Sequence, residues 1–291
     1  MVVIKRLLAL LLSIFGLISE VPAQSRGEVP AGAVTYGVTV MSYNVYVSDL
    51  PPYTHAKRAD GVIENILSAD PDVLGLQEAN PDWMERVSSA LTGYDFVGAG
   101  RDDGKNKGEY SPVFYKKDKY ELINGGTFWF SETPDEPSAT WVSAYKRICS
   151  WAVLKDKETG FVFAAFNSHW DHISVPSRNN SAKLLLSKIE EYAPDLPVVI
   201  IGDFNCKAKT VAYKTLIDGG FADAMYTAPE ADTVGSFHGY TRTSTEGELP
   251  IDHILFKSSD GVADTYRVIT DKYDGMYPSD HFPIVAELTL F

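Results

Sequence analysis

Several strand-like segments of this chain are apolar at nearly every position, and this feature constrains the fold most. Residues 198–201 read Val-Val-Ile-Ile, and residues 161–166 are nearly as apolar. A strand with one face in water alternates apolar and polar side chains, whereas a strand buried on both faces does not. These strands must therefore lie in sheets that are covered on both sides.

Strand-like and helix-like segments alternate early in the chain, and hairpins dominate the middle. Strands are predicted at residues 35–43, 72–77, 111–115, 121–130, 148–154, 161–167, 196–202, 251–256, 262–270 and 282–290. Helices are predicted at residues 57–68, 82–91, 177–192 and 211–218. The chain has 291 residues, 45% of them hydrophobic, and no internal repeat. We predict one α/β domain whose mixed sheets have helices on their outer faces.

The first residues resemble a secretory signal. Lys5 and Arg6 precede an apolar run over residues 7–18, and Val21-Pro22-Ala23 offers a small-residue cleavage site. The run is shorter than the roughly 20 residues that span a bilayer. We therefore expect a signal peptide at residues 1–23, a linker at 24–34 and the domain at 35–291. The mature protein is expected to be an exported monomer, periplasmic or extracellular, without a transmembrane anchor.

The net charge of −13 disfavours tight, non-specific nucleic-acid binding. Such binding draws most of its affinity from Lys and Arg side chains that neutralise phosphates. The two cysteines, Cys149 and Cys206, are too few for a disulfide scaffold. They are interpreted as buried apolar residues, with a single disulfide as the alternative.

Polar residues capable of catalysis follow or precede the apolar strands. They are Asn44, Glu78, His169, Asp171, His172, Asp203, Asn205, Asp252, Asp280 and His281. Because open sheets bind ligands at strand ends, these residues are predicted to form one site. Taken alone, Asn44 also suits a turn, and Glu78 also suits the start of a helix.

Gly202-Asp203-Phe204-Asn205 is the strongest single signal. Asp203 and Asn205 lie two residues apart at the mouth of a buried strand, where both side chains can face one crevice. That supplies a base and a hydrogen-bond donor for developing negative charge. The pair His169 and His172 suggests zinc, but zinc-like thiolate spacing and an HExxH helix are absent, so zinc remains the alternative.

In order along the chain, SYN, GLQE, NSHWDH, GDFN, IDHI and PSDHFP resemble the endonuclease/exonuclease/phosphatase superfamily, the deoxyribonuclease-like phosphoesterases. The resemblance extends from about residue 36 to 289. It implies a four-layer α/β sandwich, in which two mixed β-sheets pack face to face with helices outside. It also implies a metal-dependent phosphoric ester hydrolase that uses Mg²⁺ or Mn²⁺, with one or two ions.

The resemblance also implies roles for individual residues. Asn44, Glu78 and Asp280 would lie at the metal. Asp203 would orient or deprotonate the attacking water, and Asn205 would steady the phosphorane-like oxygen.

A second group of residues would surround the phosphate. His169 and His281 match the paired histidines that flank it. Asp252 would orient one histidine, and Glu109 would hold His169. Arg147 resembles a phosphate-binding arginine of the nuclease branch, and a planar guanidinium suits two phosphate oxygens.

Trp170 departs from the family pattern, which carries a small aliphatic residue there. It is predicted either to narrow the substrate pocket or to pack in the core. Residues 101–107 are mixed in sign and provide no long basic surface for a duplex. The expected substrate is a small phosphoester such as a sugar phosphate. A secreted nuclease and a sphingomyelinase-like lipid phosphodiesterase remain alternatives.

Overall fold

The computed structural model describes residue 24, residues 26–242 and residues 245–291. The predicted signal peptide, residues 1–23, lies outside these ranges. Two residues of the predicted linker contact the domain. Gln24 donates a hydrogen bond to the Tyr213 hydroxyl at 2.8 Å, and Arg26 pairs with Asp264 at 3.3 Å.

The described residues form strands and helices that alternate largely as predicted. The strands are β1 Tyr36–Asn44, β2 Val73–Gln77, β3 Tyr94–Val97, β4 Val113–Lys116, β5 Tyr120–Trp129, β6 Ile148–Asp156, β7 Val162–His169, β8 Val198–Asp203, β9 Phe221–Asp223, β10 Glu230–Ala231, β11 Asp252–Lys257, β12 Gly261–Val268 and β13 Ile284–Leu290. The helices are α1 His55–Ala69, α2 Pro81–Ala90, α3 Val175–Tyr192, α4 Val211–Asp218 and α5 Ala224–Thr227. The short strands β3, β9 and β10 were not predicted.

Helices α2, α3 and α4 each begin where a polar side chain caps the first turn. Asn80 accepts a hydrogen bond from the backbone N–H of Trp83 at the start of α2. Ser174 and Thr210 do the same for α3 and α4. Each cap satisfies a backbone donor that has no partner within its helix. The local sequence thus determines where these helices begin.

Two mixed sheets face each other across the domain. Within the described residues, one has the strand order β10-β12-β13-β1-β2-β4-β3 and the other β5-β6-β7-β8-β11-β9. Val40 and Ile201 belong to the apolar cluster between the sheets. Trp83 of α2 packs on the outer face of the first sheet, and Leu185 of α3 packs near Phe166 on that of the second. The predicted four-layer α/β sandwich is confirmed, and every residue of β2 and β8 is buried.

Strand register brings the predicted site residues together. β7 runs parallel to β8, with His169 paired to Asp203. β11 runs antiparallel to β8, with Asp252 paired to Asp203 on the other side. In the opposite sheet, parallel β1 and β2 end side by side at Asn44 and Gln77. Paired residues on adjacent strands project from the same face of a sheet, so His169 and Asp252 flank Asp203.

No helix among the described residues has the length and apolar character needed to cross a bilayer. Cys149 and Cys206 are both buried and unpaired, as the favoured sequence interpretation predicted.

Candidate active site

A cavity of about 340 Å³ opens where the strand ends of both sheets meet. Its lining residues are Val47, Glu78, Arg101, Glu109, Tyr145, Arg147, His169, His172, Asp203, Asn205, Phe237, Ile251, Asp280 and His281. Most residues of the predicted site thus line one cavity. Asn44 and Asp252 lie directly behind it through hydrogen bonds to lining residues.

Asp203 is the central carboxylate of the site. Its Oδ1 accepts the backbone N–H of Asn205 at 2.9 Å, and its Oδ2 accepts Nδ2 of Asn44 at 3.0 Å. The Nε2 atoms of His169 and His281 lie 3.5 Å and 3.8 Å from the same Oδ2. Asp203 is therefore in reach of both histidines from a fixed orientation.

The tight geometry of the GDFN segment explains its glycine. A Cβ at position 202 would lie 2.1 Å from the carbonyl oxygen of Ser168 on the neighbouring strand. Asn205 adopts a left-handed backbone with φ of 48°, and Glu78 does so with φ of 59°. Non-glycine residues in this region are strained, and such residues concentrate at functional sites.

Burial raises the pKa values of two carboxyl groups in the site. Desolvation, reinforced by the charge of Asp252, raises the pKa of Asp203 to about 7. Desolvation also raises the pKa of Asp280 to about 6. A general base functions best when its pKa lies near the working pH, so Asp203 suits the role of base predicted for it.

The two histidines differ in charge. Burial opposes protonation of His281, but the nearby charge of Asp252 and its 2.8 Å hydrogen bond outweigh it, so the pKa of His281 rises well above 6.5. Burial and the charge of Arg147 hold the pKa of His169 well below 6.5. His281 is therefore the cationic imidazole of the site, and His169 the neutral one.

Asn205 connects His169 to the strand end. Its Nδ2 donates to the Trp170 carbonyl at 3.0 Å and to Nε2 of His169 at 3.0 Å. Because Nε2 accepts, the neutral imidazole carries its proton on Nδ1. His169 thus presents a lone pair at Nε2, the atom that lies 3.5 Å from Asp203.

The predicted metal ligands lie together at one wall of the cavity. Glu78 accepts Nδ2 of Asn44 at 3.1 Å and the backbone N–H of Val47 at 2.8 Å. Asp280 lines the same cavity, and ligand atoms of Asp203, Asp252 and His281 lie within 4.8 Å of one another. Oδ1 of Asp252 has no hydrogen-bond partner among the described residues. Buried carboxylates in such excess fit a hard divalent cation, which prefers oxygen ligands.

The prediction that Glu109 holds His169 is wrong. Its carboxylate binds Arg101 through contacts of 2.6 Å and 2.8 Å. It lines a cavity of about 10 Å³ with His169, but Nδ1 of His169 has no hydrogen-bond partner among the described residues. Glu109 therefore holds Arg101 in place and does not bind His169 directly.

Of the two alternatives predicted for Trp170, the structure supports packing in the core and not substrate binding. The side chain is fully buried, stacks on Phe204 at 4.4 Å and packs edge-on against Phe130. The strand end turns here, so its carbonyl, and not its indole, faces the site. Trp170 is a core residue that supports Asn205.

Arg147 and His172 line the cavity together. Nη2 of Arg147 donates to Nδ1 of His172 at 3.0 Å, and Nε of Arg147 lies 3.7 Å from Asp171. Asp171 is fully buried and accepts the backbone N–H groups of Ala144 and Ser174. His172 faces a guanidinium, which gives the zinc alternative no support. Arg147 lines the same cavity as His169 and His281.

Sequence reasoning missed several lining residues. Tyr145 and Phe237 lie in loops without a local signal. Tyr145 is half exposed, and the guanidinium groups of Arg101 and Arg147 lie 5.2 Å and 5.5 Å from the centre of its ring. These residues shape the mouth of the cavity beside its polar floor.

Two proteins of known structure are similar to this chain in both sequence and fold. A mannosyl-6-phosphatase from Bacteroides thetaiotaomicron VPI-5482 is 36% identical with a TM-score of 0.82, covering 86% of this chain and 99% of that one. An endonuclease/exonuclease/phosphatase family protein from Bacteroides thetaiotaomicron is 34% identical with a TM-score of 0.84, covering 89% and 99%.

A more distant relative is an exoribonuclease component. The 3'-5'-exoribonuclease subunit Ccr4 of the CCR4-Not complex of Mycosarcoma maydis is 24% identical, over 80% of this chain and 46% of that protein. Residues 41–281 match the model of the Endonuclease/Exonuclease/phosphatase family. The chain belongs to the Endonuclease/Exonuclease/phosphatase family and is a metal-dependent phosphoester hydrolase.

Proposed function

We propose that this protein is an exported hydrolase of small organic phosphates such as sugar phosphates, dependent on Mg²⁺ or Mn²⁺. The proposal rests on the cavity of about 340 Å³, which is lined by Asp203, Asn205 and both histidines. Glu78 and Asp280 also line it and form its carboxylate wall. Its volume lies at the small end of the range of ligand pockets, about 300–1,000 Å³. A small phosphoester matches both its size and its charge distribution.

The residues of the site divide the work of hydrolysis. Asp203, with its pKa near 7, accepts a proton from the attacking water. The His281 imidazolium stabilises negative charge on the phosphoryl oxygens, and Arg147, which lines the same cavity, adds a second cation. Glu78, Asn44 and Asp280 would hold the divalent cation, which polarises the phosphoryl group when bound.

The similarity to a mannosyl-6-phosphatase supports a sugar phosphate as the substrate class. Export is supported by the signal-like sequence of residues 1–23. A nuclease is the second candidate, favoured by the similarity to an exoribonuclease subunit. The net charge of −13 opposes it, because a nucleic-acid groove needs basic residues along its length.

A substrate panel tests the proposal. The mature protein with Mg²⁺ or Mn²⁺ is assayed on hexose phosphates, p-nitrophenyl phosphate, bis-p-nitrophenyl phosphate, sphingomyelin and plasmid DNA. We expect the highest kcat/KM on a sugar phosphate and no turnover in EDTA. Degradation of plasmid at low enzyme concentration would instead identify a nuclease. Activity restored by zinc alone would indicate that His169 and His172 are metal ligands.

Secretion is tested separately. The full chain carrying a C-terminal tag is expressed in a bacterial host, and the mass of the exported form is measured. Cleavage after Ala23 is the expected result. A chain that keeps its first 23 residues inside the cell contradicts export.

A further inference from the structure

Arg58 in the first turn of α1 is almost fully buried, at 1% exposure. Each of its described hydrogen bonds goes to a backbone carbonyl. Nε donates to Tyr53 at 2.8 Å, Nη1 to Val45 at 2.7 Å and Pro278 at 2.9 Å, and Nη2 to Tyr46 and Ser48 at 2.8 Å each. A guanidinium has five N–H donors, so all five are used.

Four of the five carbonyls that Arg58 binds, all except that of Tyr53, belong to two chain segments that adjoin the carboxylate wall. Residues 45–48 follow Asn44 directly, and the backbone N–H of Val47 donates to Glu78 at 2.8 Å. Pro278 precedes Asp280 by two residues. Nη1 of Arg58 alone bridges Val45 and Pro278, and so joins one segment to the other.

A second contact joins the same segments. The Ser279 hydroxyl donates to the carbonyl oxygen of Asn44 at 2.6 Å. Carboxylates gathered around one point repel each other and move apart unless the backbone behind them is fixed. The rigid, planar fork of Arg58 fixes five carbonyl positions at once, which the flexible ammonium of a lysine cannot do.

We propose that Arg58 is a positioning residue that sets the spacing between the Asn44–Glu78 side and the Asp280 side of the metal site. It touches neither the substrate nor the predicted ligand atoms and acts through the backbone of both segments. This inference rests on the proposed metal-dependent function. Polar groups behind metal ligands typically contribute about 10–100-fold to metal affinity.

The test compares metal binding by wild type and Arg58→Lys. Lysine keeps the charge but has three donors in place of five. Mn²⁺ binding to metal-free protein is measured by electron paramagnetic resonance, without any turnover. We expect the variant to bind Mn²⁺ about 10–100-fold more weakly. At saturating metal, its kcat should stay close to that of wild type.

Asp156→Asn is the matched control. Asp156 is a buried carboxylate that accepts the Tyr36 hydroxyl at 2.9 Å and the backbone N–H of Thr159 at 2.6 Å. It ends β6, whereas Arg147 precedes the other end of that strand by one residue. Nine residue steps of extended chain separate the two by about 30 Å. The control should lower the unfolding temperature and leave Mn²⁺ affinity unchanged.

Each outcome decides the matter. Unchanged Mn²⁺ affinity in Arg58→Lys, with a loss of stability like that of the control, overturns the positioning role. If Arg58→Lys does not fold, Arg58→Gln is measured in its place, because its side-chain amide keeps two N–H donors. Weaker Mn²⁺ binding by Arg58→Gln supports the proposal, and unchanged binding overturns it. A wild-type protein that binds no Mn²⁺ would refute the proposed function as well.

Discussion

Nδ1 of His281 donates to Oδ2 of Asp252 at 2.8 Å, while its Nε2 faces Asp203 at 3.8 Å. The imidazole thus lies between two buried carboxylates and keeps its proton. His169, on the other side of Asp203, lies near Arg147 and stays neutral. The two histidines therefore differ in charge because their neighbours differ: carboxylates surround His281, whereas Arg147 lies near His169.

Asp252→Asn should remove the charge that holds the proton on His281. Because the Asp252 charge and hydrogen bond raise the pKa of His281, this pKa should fall in the variant. We expect a fall in kcat of at least about tenfold, since the positive charge at the phosphate is lost. Titration of the imidazole ¹⁵N signals by NMR measures the pKa, and an unchanged titration would contradict the assignment.

Asp203→Asn should abolish most turnover without unfolding the protein. The amide keeps an oxygen for the Asn205 N–H but cannot accept a proton from water. We expect kcat to fall about 10²–10⁴-fold. Circular dichroism should show a native spectrum with a similar unfolding temperature. The exposed Asp118→Asn serves as a control, and near-native activity in Asp203→Asn would exclude Asp203 as the base.

Asp171 should make stability depend on pH in the acid range. Burial raises its pKa, but the backbone N–H groups of Ser174, Ala144 and Ile173 outweigh burial and lower the pKa below 3.8. A lowered folded-state pKa contributes stability above the unfolded-state value, and that stability is lost as pH falls through the folded-state value.

Asp171→Asn tests this dependence. At pH 7 the free energy of unfolding should fall by about 1–3 kcal/mol, because buried N–H donors lose a charged acceptor. Below about pH 4 the difference from wild type should shrink as the carboxyl is protonated. Urea unfolding at pH 7 and at pH 3 measures both values. A constant difference at both pH values would show that the charge of Asp171 is not responsible.

Trp170→Phe separates core packing from substrate binding. The smaller ring leaves space beside Phe204, so we expect a loss of about 1–3 kcal/mol in the free energy of unfolding. KM should stay within about twofold, because the side chain does not line the cavity. A large rise in KM with unchanged stability would show that the Trp170 side chain takes part in substrate binding.

The strand ends were predictable because long apolar runs have a strong signal and end abruptly at polar residues. β1 ends at Asn44, β7 at His169 and β8 at Asp203, while β11 begins at Asp252. The short strands β3 and β9 escaped prediction, since three or four residues are too few to establish a period.

Side-chain direction and tertiary partners were not predictable from local pattern. Trp170 directly follows β7, where the turn determines which group faces the site. Glu109 pairs with Arg101, eight residues away. The local sequence does not show which charged side chain is buried beside it. The sequence did indicate that Arg58 is buried, because Arg58, Val62 and Ile66 recur at four-residue spacing on one face of α1. An arginine on an apolar stripe points to a buried polar role.

The division of the site between two sheets has a consequence for how activity arises. Asn44 and Glu78 come from one sheet, and His169 and Asp203 come from the other. Neither half can hydrolyse a phosphoester alone, so catalysis begins when the sheets dock. Activity therefore reports on the docked state of both sheets, and a chain whose sheets have not docked is inactive even if each sheet is folded.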